Sequence, residues 1–205
     1  MKQTITRLFK YQKIIKQFYQ KGYTRIFSGT IAEELGLSPS QVRKDFSLLS
    51  IPGRKRGGYK ITMLGHHIDK IINAKPEQHA IIIGMGKIGQ ALANYSGFQD
   101  EAIKVTAGFD VKSDIHCAIE VHNIEMLEPF IKEHRIKVAI LAVPNSLAKK
   151  MANRLERAGI LGILNFTGVE LLMHPATVVR NINLEIKLKN IFYYVEQLTT
   201  SSQTK

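Results

Sequence analysis

The 205-residue sequence holds a single cysteine, Cys117. One thiol can neither close an internal disulfide nor build a metal cluster, which excludes a disulfide-stapled fold and structural zinc as sources of stability. Cys117 reads as ordinary packing. No apolar run comes near the roughly 20 residues of a membrane helix, and the opening MKQTITRLFKYQK lacks the apolar stretch of a secretory signal. A cytoplasmic protein is expected. Aromatic residues are scarce at 8%, but 44% of the chain is hydrophobic, enough at this length for two modest domains with separate cores.

Acidic residues are also scarce, and unevenly so. Residues 1–80 carry 15 Lys and Arg against 5 Asp and Glu, a net charge of +10, whereas residues 81–205 carry 14 against 12, a net of +2. A polyanionic partner therefore belongs to the N-terminal part.

That part is patterned as a helix-turn-helix. Leu8, Tyr11, Ile15 and Phe18 recur at spacings of three and four, an amphipathic stripe over 4–20 that Gly22 ends. Thr30 and Glu33 have capping-box spacing for a short helix over 30–35, and Gly36 turns the chain. Ser38-Pro39-Ser40-Gln41 combines an N-cap serine with proline at the first helical position. In the helix that follows, Val42, Phe46 and Leu49 share one face, leaving Ser40, Gln41, Arg43, Lys44 and Ser47 outward. Arginine can bond both acceptors of guanine and glutamine both groups of adenine, so this helix is built to read a major groove. Gly53 to Tyr59 places Arg54, Lys55 and Arg56 between glycines ahead of an expected strand over 59–62, the pattern of a wing, with Lys55 and Arg56 against phosphates or a minor groove.

The second half reads as a dinucleotide-binding α/β domain. A buried strand over 79–83 runs into Gly84-Met85-Gly86-Lys87-Ile88-Gly89 and a helix-compatible segment. Glycines at those spacings permit a tight turn, approach of a pyrophosphate to bare backbone, and close packing of helix on strand. A strand over 103–109 ends at Asp110, 21 residues beyond Gly89, where a carboxylate can hold ribose hydroxyls and favours NAD over NADP. Two more strands, over 137–143 and 160–166, place Pro144-Asn145 and Asn165 at strand ends facing the crevice. Asn165 either bonds a ligand or caps its strand. Leu184, Leu188, Ile191, Val195 and Leu198 form a helical seam suited to pairing with a second copy.

The segments Gln41-Val42-Arg43-Lys44-Asp45, GMGKIG and Leu161-Gly162-Ile163-Leu164-Asn165-Phe166, in this order, resemble the Rex family of redox-sensing repressors, and the likeness runs from Arg7-Leu8 to Val178-Val179-Arg180-Asn181. The resemblance implies a winged helix-turn-helix over 1–78, a Rossmann NAD(H)-binding domain over 79–180, and an exchanged dimerisation helix with tail over 181–205. It further implies a homodimer that holds operator DNA when free or NAD-bound and releases it with NADH. Carried over by position, Arg43, Lys44 and the Lys55-Arg56 wing meet DNA, and Gly84, Met85, Gly86, Lys87, Ile88, Gly89, Asp110 and Asn165 meet the dinucleotide. Arg7, Tyr95 and position 183 form a switch. Family members carry an acid where this chain has Asn183, and Ala-Pro where it has Thr167-Gly168.

Two other readings stay open. A repressor that has lost its ligand, or takes coenzyme A instead, would keep the DNA-binding half. An oxidoreductase would share the Rossmann fingerprint but needs a proton-transfer partner; His116, His122 and His134 read as surface residues, and neither catalytic nor metal-binding residues are expected.

Overall fold

The computed structural model describes residues 2–52, 57–72, 77–100 and 103–202. The chain forms two compact units, Met1–Lys75 and Pro76–Lys205.

In the first unit α1 (Lys2–Gln20) ends at Gly22, whose φ of 84° suits glycine. Short strand β1 (Arg25–Ile26) leads to α2 (Ser28–Leu35) and α3 (Pro39–Leu48); β2 (Tyr59–Lys60) pairs antiparallel with β1, and α4 (Ile61–Ile71) follows. The α3 start signal is formed: the Ser38 hydroxyl accepts the Gln41 N–H at 3.2 Å, with Pro39 in the first turn. The expected box at Thr30 and Glu33 is not. Helix α2 begins two residues earlier, after Phe27, without a side-chain cap, because the Ile31 N–H already closes a turn on the Phe27 carbonyl. The strand over 59–62 is likewise shorter, since Ile61 is buried in α4 with Leu64 and Ile68. The core gathers Leu8, Tyr11, Ile31, Val42, Phe46 and Ile68, and Phe46 sits edge-on to both Tyr11 and Tyr59 with centroids 5.3 and 5.0 Å away.

The second unit is a six-stranded sheet in the order β5-β4-β3-β6-β7-β8 with every pairing parallel. Its elements are β3 (Gln78–Ile83), α5 (Lys87–Ala93), α6 (Ser96–Asp100), β4 (Ile103–Asp110), β5 (Val121–Asn123), α7 (Leu127–Glu133), β6 (Val138–Leu141), α8 (Asn145–Arg157), β7 (Gly162–Asn165) and β8 (Val178–Asn181). The chain winds outward from β3 to β4 and β5, then returns to β6 on the other side. In open parallel sheets such a reversal marks where a ligand crevice lies, here the carboxyl ends of β3 and β6. Residues 80–83 of β3 and 139–141 of β6 are continuous apolar runs because both faces are covered there. The three-residue β5 and four-residue β8 lie at the sheet edges, too short to show a periodicity. The last helix, α9 (Leu184–Ser202), leaves Leu184, Leu188, Ile191, Val195 and Leu198 each at least half exposed.

Candidate DNA-reading surface and dinucleotide crevice

On α3, Ser40, Arg43, Lys44 and Ser47 are exposed, and the Arg43 guanidinium reaches the Ser28 hydroxyl at 3.2 Å. Gln41 is only half exposed, and its Nε2 donates to Asp45 Oδ1 at 2.9 Å. One N–H of the Gln41 carboxamide is thus engaged within the helix, which leaves its second N–H and Oε1 for a base edge.

Asp45, fully buried, went unrecognised as a structural centre. It sits at i+3 from Val42, on the apolar face of a basic helix, and that placement was the available signal. The Arg7 guanidinium meets it through two bonds, 2.6 and 2.8 Å, and the Tyr11 hydroxyl donates to it at 2.7 Å. These donors, Arg7 first, hold the Asp45 carboxyl below the ordinary carboxylate range against the opposing effect of burial. Burial and Asp45 together push the Tyr11 phenol up. The cluster ties α1 to α3.

Lys55 and Arg56 lie outside the described residues. At the wing's base Arg25 Nε donates to the Gly57 carbonyl at 2.7 Å. Gly58, with φ of 60°, lies so close to β1 that a Cβ there would stand 2.8 Å from the Ile26 carbonyl oxygen.

In the crevice the three fingerprint glycines do different work. A Cβ on Gly84, where φ is 92°, would stand 2.5 Å from the Ala142 carbonyl oxygen; one on Gly89 would stand 2.0 Å from that of Gly84. These two let the loop press onto β6 and α5 onto the loop. Around Gly86 a Cβ would meet nothing within 4 Å. Gly86, Lys87 and Ile88 are consecutive and exposed, so backbone N–H groups stand open where a diphosphate can approach. The cradle fits a dinucleotide phosphate.

Met85 contributes differently from its neighbours. Its side chain is 1% exposed and lies over Gly108, where a Cβ would stand 2.5 Å from the sulfur. Its N–H donates to Asp110 Oδ2 at 2.7 Å and its carbonyl accepts from Gln90 at 2.8 Å. Met85 is therefore corrected to a loop-bracing residue. Gly108, inside an apolar strand, was the missed partner. Asp110 stands at the end of β4, its other oxygen accepting the Lys112 N–H at 3.2 Å; each carboxylate oxygen keeps a second lone pair, so acceptor capacity remains beside these backbone bonds.

Asn165 is corrected more firmly. It is fully buried, and its Nδ2 donates to the Val169 carbonyl and to Asn181 Oδ1, both at 2.7 Å, while Oδ1 accepts from Thr167 N and Oγ1. Every hydrogen-bonding position of the carboxamide is used, so Asn165 braces the loop after β7. In that loop the Gly168 N–H donates to Asn145 Oδ1 at 2.8 Å.

The expected switch residues have local partners. Arg7 is bound to Asp45, Asn183 Oδ1 accepts the Ile186 N–H at 3.0 Å as the N-cap of α9, and exposed Tyr95 packs edge-on to Phe98. His122 is not a plain surface residue: it is partly buried against Phe109 and Phe130, and His134 stacks on Phe130 at 3.9 Å. Among the described residues no His, Cys, Asp or Glu cluster could hold a metal, and no helix is long and apolar enough to cross a membrane.

Residues 2–47 match a family described as "Putative DNA-binding protein N-terminus", and residues 75–169 match the "CoA binding domain". The redox-sensing transcriptional repressor Rex of Desulforamulus reducens is 35% identical over 190 residues, 91% of this chain and 90% of that protein. Its namesake in Desulfitobacterium hafniense is 34% identical, covering 94% and 93%. The crystal structure of RSP in complex with β-NAD+ and operator DNA matches with a TM-score of 0.88 at 29% identity, covering 100% of this chain and 97% of that one. The RSP complex with β-NADH gives 0.84 at 29%, covering 100% and 98%.

Proposed function

This chain belongs to the Rex family of redox-sensing transcriptional repressors, and from that premise we propose how its parts share the task. A homodimer in the cytoplasm binds operator DNA through the exposed face of α3 while free or NAD+-bound, and NADH in the crevice causes release. One observation carries this reading: across its whole length the chain matches a solved protein that holds β-NAD+ and operator DNA together.

The residues have distinct parts. Arg43 and Lys44 supply charge and a guanidinium fork to the groove, with Ser40 and Gln41 at the helix start and the Lys55-Arg56 wing as the expected phosphate contact. Asp45, held by Arg7 and Tyr11, fixes the angle at which α3 is presented. In the crevice the backbone of Gly86, Lys87 and Ile88 takes the diphosphate and Asp110 takes the adenosine ribose. The bound ligand brings its own redox state, with or without the hydride on its ring, and the protein's part is to bind the two forms unequally. No acid or base is required for that, in keeping with relatives named as repressors rather than enzymes. The name of the coenzyme A domain describes the same sheet, while the full-length match holds NAD+ or NADH.

The apolar seam of α9 is half exposed along its length, and a second copy is the partner that the need for two DNA half-sites supplies. The test is fluorescence anisotropy on a palindromic operator at fixed salt, titrated separately with NADH and NAD+. Release by NADH alone is expected. Tight binding that ignores both nucleotides would leave a repressor without this sensor.

A further inference from the structure

We propose that Asn145 is a specificity-determining residue of the crevice, a hydrogen-bond donor aimed at the carboxamide carbonyl of the nicotinamide ring and held in place by Gly168. The inference rests on the dinucleotide reading above and adds to it a residue and a ligand atom.

Asn145 opens α8 directly after β6, on the side of β3 opposite to β4. With Asp110 at the end of β4 and the open backbone of Gly86 to Ile88 after β3, the adenosine and diphosphate occupy one side of the reversal point, which leaves the rest of the ligand for the ends of β6 and β7. The loop bearing Gly84 lies on the β6 end itself, as its 2.5 Å limit at Ala142 shows. Asn145 is exposed at this edge.

Its carboxamide is anchored at one end only. Oδ1 accepts the Gly168 N–H at 2.8 Å. An N–H can only donate, so this bond fixes which end of the amide is oxygen and leaves Nδ2 as the free donor, without a partner among the described residues. Gly168 supports this placement in two ways, through its N–H and through its lack of a side chain. A proline would have no N–H to give, and a Cβ would stand 2.9 Å from Nδ2. The loop that carries Gly168 is itself fixed: Asn165, buried, holds Thr167 and Val169, and Asn181 Oδ1 accepts the Leu171 N–H. The clamp is thus preorganised before a ligand arrives, and a donor that costs little to order discriminates well between acceptors. A carboxamide oxygen satisfies it; sulfur in the same place is a poor acceptor.

The test is isothermal titration calorimetry of the full chain with three probes: NADH, its thionicotinamide analogue, and ADP-ribose, which lacks the ring. The wild type is expected to prefer NADH over the thio analogue. Asn145→Ala should lose about tenfold in NADH affinity, the upper end for one neutral hydrogen bond, erase the preference over the thio analogue, and leave ADP-ribose binding unchanged. Gly168→Pro, which frees the carboxamide, should lose part of the preference. An equal fall for NADH and ADP-ribose in Asn145→Ala would show a role in folding the loop and overturn the proposal, as would no change for either. If the wild type binds none of the three probes, the dinucleotide reading itself fails and this inference falls with it.

Discussion

At the level of single residues, the Arg7-Asp45-Tyr11 cluster has the largest expected consequence. Asp45 is fully buried, and Arg7 → Ala would leave its charge without its main partner, at a cost of about 3 kcal/mol, typical of breaking a buried pair. Urea denaturation followed by circular dichroism should show that loss, and adding Asp45→Asn should recover part of it because no uncompensated charge then remains. The same pair sets a pH dependence. The folded Asp45 carboxyl titrates below its ordinary value of 3.8, so its contribution is present in full above that value and disappears as pH falls through the lower, folded one. Wild-type stability should decline in acid below about pH 4 with a component that Asp45→Asn lacks; identical acid profiles would assign that component to other carboxylates. The sequence displays Asp45 only as one acid in QVRKD. That it faces inward follows from the helical period, but its partners lie 34 and 38 positions away, a pairing no local pattern encodes. Asn165 escaped in the same way, its role being decided by Asn181 on the neighbouring strand.

At the level of elements, legibility followed length and the strength of local chemistry. Helix α3, with serine cap and Pro39, could be placed to within a residue, and β3 with its glycine loop nearly so, because each signal acts over a few positions. The edge strands β5 and β8 and the start of α2 could not: the strands take their conformation from neighbours already in the sheet, and α2 begins without a side-chain cap. The glycine loop allows a test of what its motif means. Gly84→Ala forces a Cβ to 2.5 Å from the Ala142 carbonyl at φ of 92°, so the expected outcome is a large loss of thermal stability. Gly86→Ala meets open space, and the fold should survive within about 0.5 kcal/mol. Its methyl occupies the cradle, however, and NADH affinity should drop at least tenfold by calorimetry. Equal stability losses in the two variants would show that the glycines serve packing alike and that Gly86 is not kept bare for a ligand. The separate surface on α3 is tested by Arg43→Ala with Lys44→Ala: operator binding should be lost while NADH binding is unchanged.

The whole molecule carries its charge on one unit and its sensing crevice on the other, so a signal has to pass through something they share or through a second copy. Helix α9 is the element suited to that task. Its seam of Leu184, Leu188, Ile191, Val195 and Leu198 is exposed by 50 to 69%, and burying such side chains is worth about 25 cal/mol for each Å². In isolation that surface is a liability; under the proposed pairing, a twin would cover it and join two α3 helices into one reader of a palindrome. A charge in the seam tests this. Ile191→Asp should convert a dimer to a monomer in light scattering after size exclusion, since a carboxylate facing a paired apolar helix cannot be solvated. Melting of the monomer should stay cooperative, because Ile191 is 58% exposed within its own chain and supports little there. Operator affinity should fall by more than a hundredfold, and the salt dependence should become shallower as about half of the phosphate contacts are lost. NADH should still bind the monomer if the crevice is built from one chain. A variant that remains dimeric would place the interface elsewhere, and a monomer with undiminished operator affinity would show that one copy reads DNA alone.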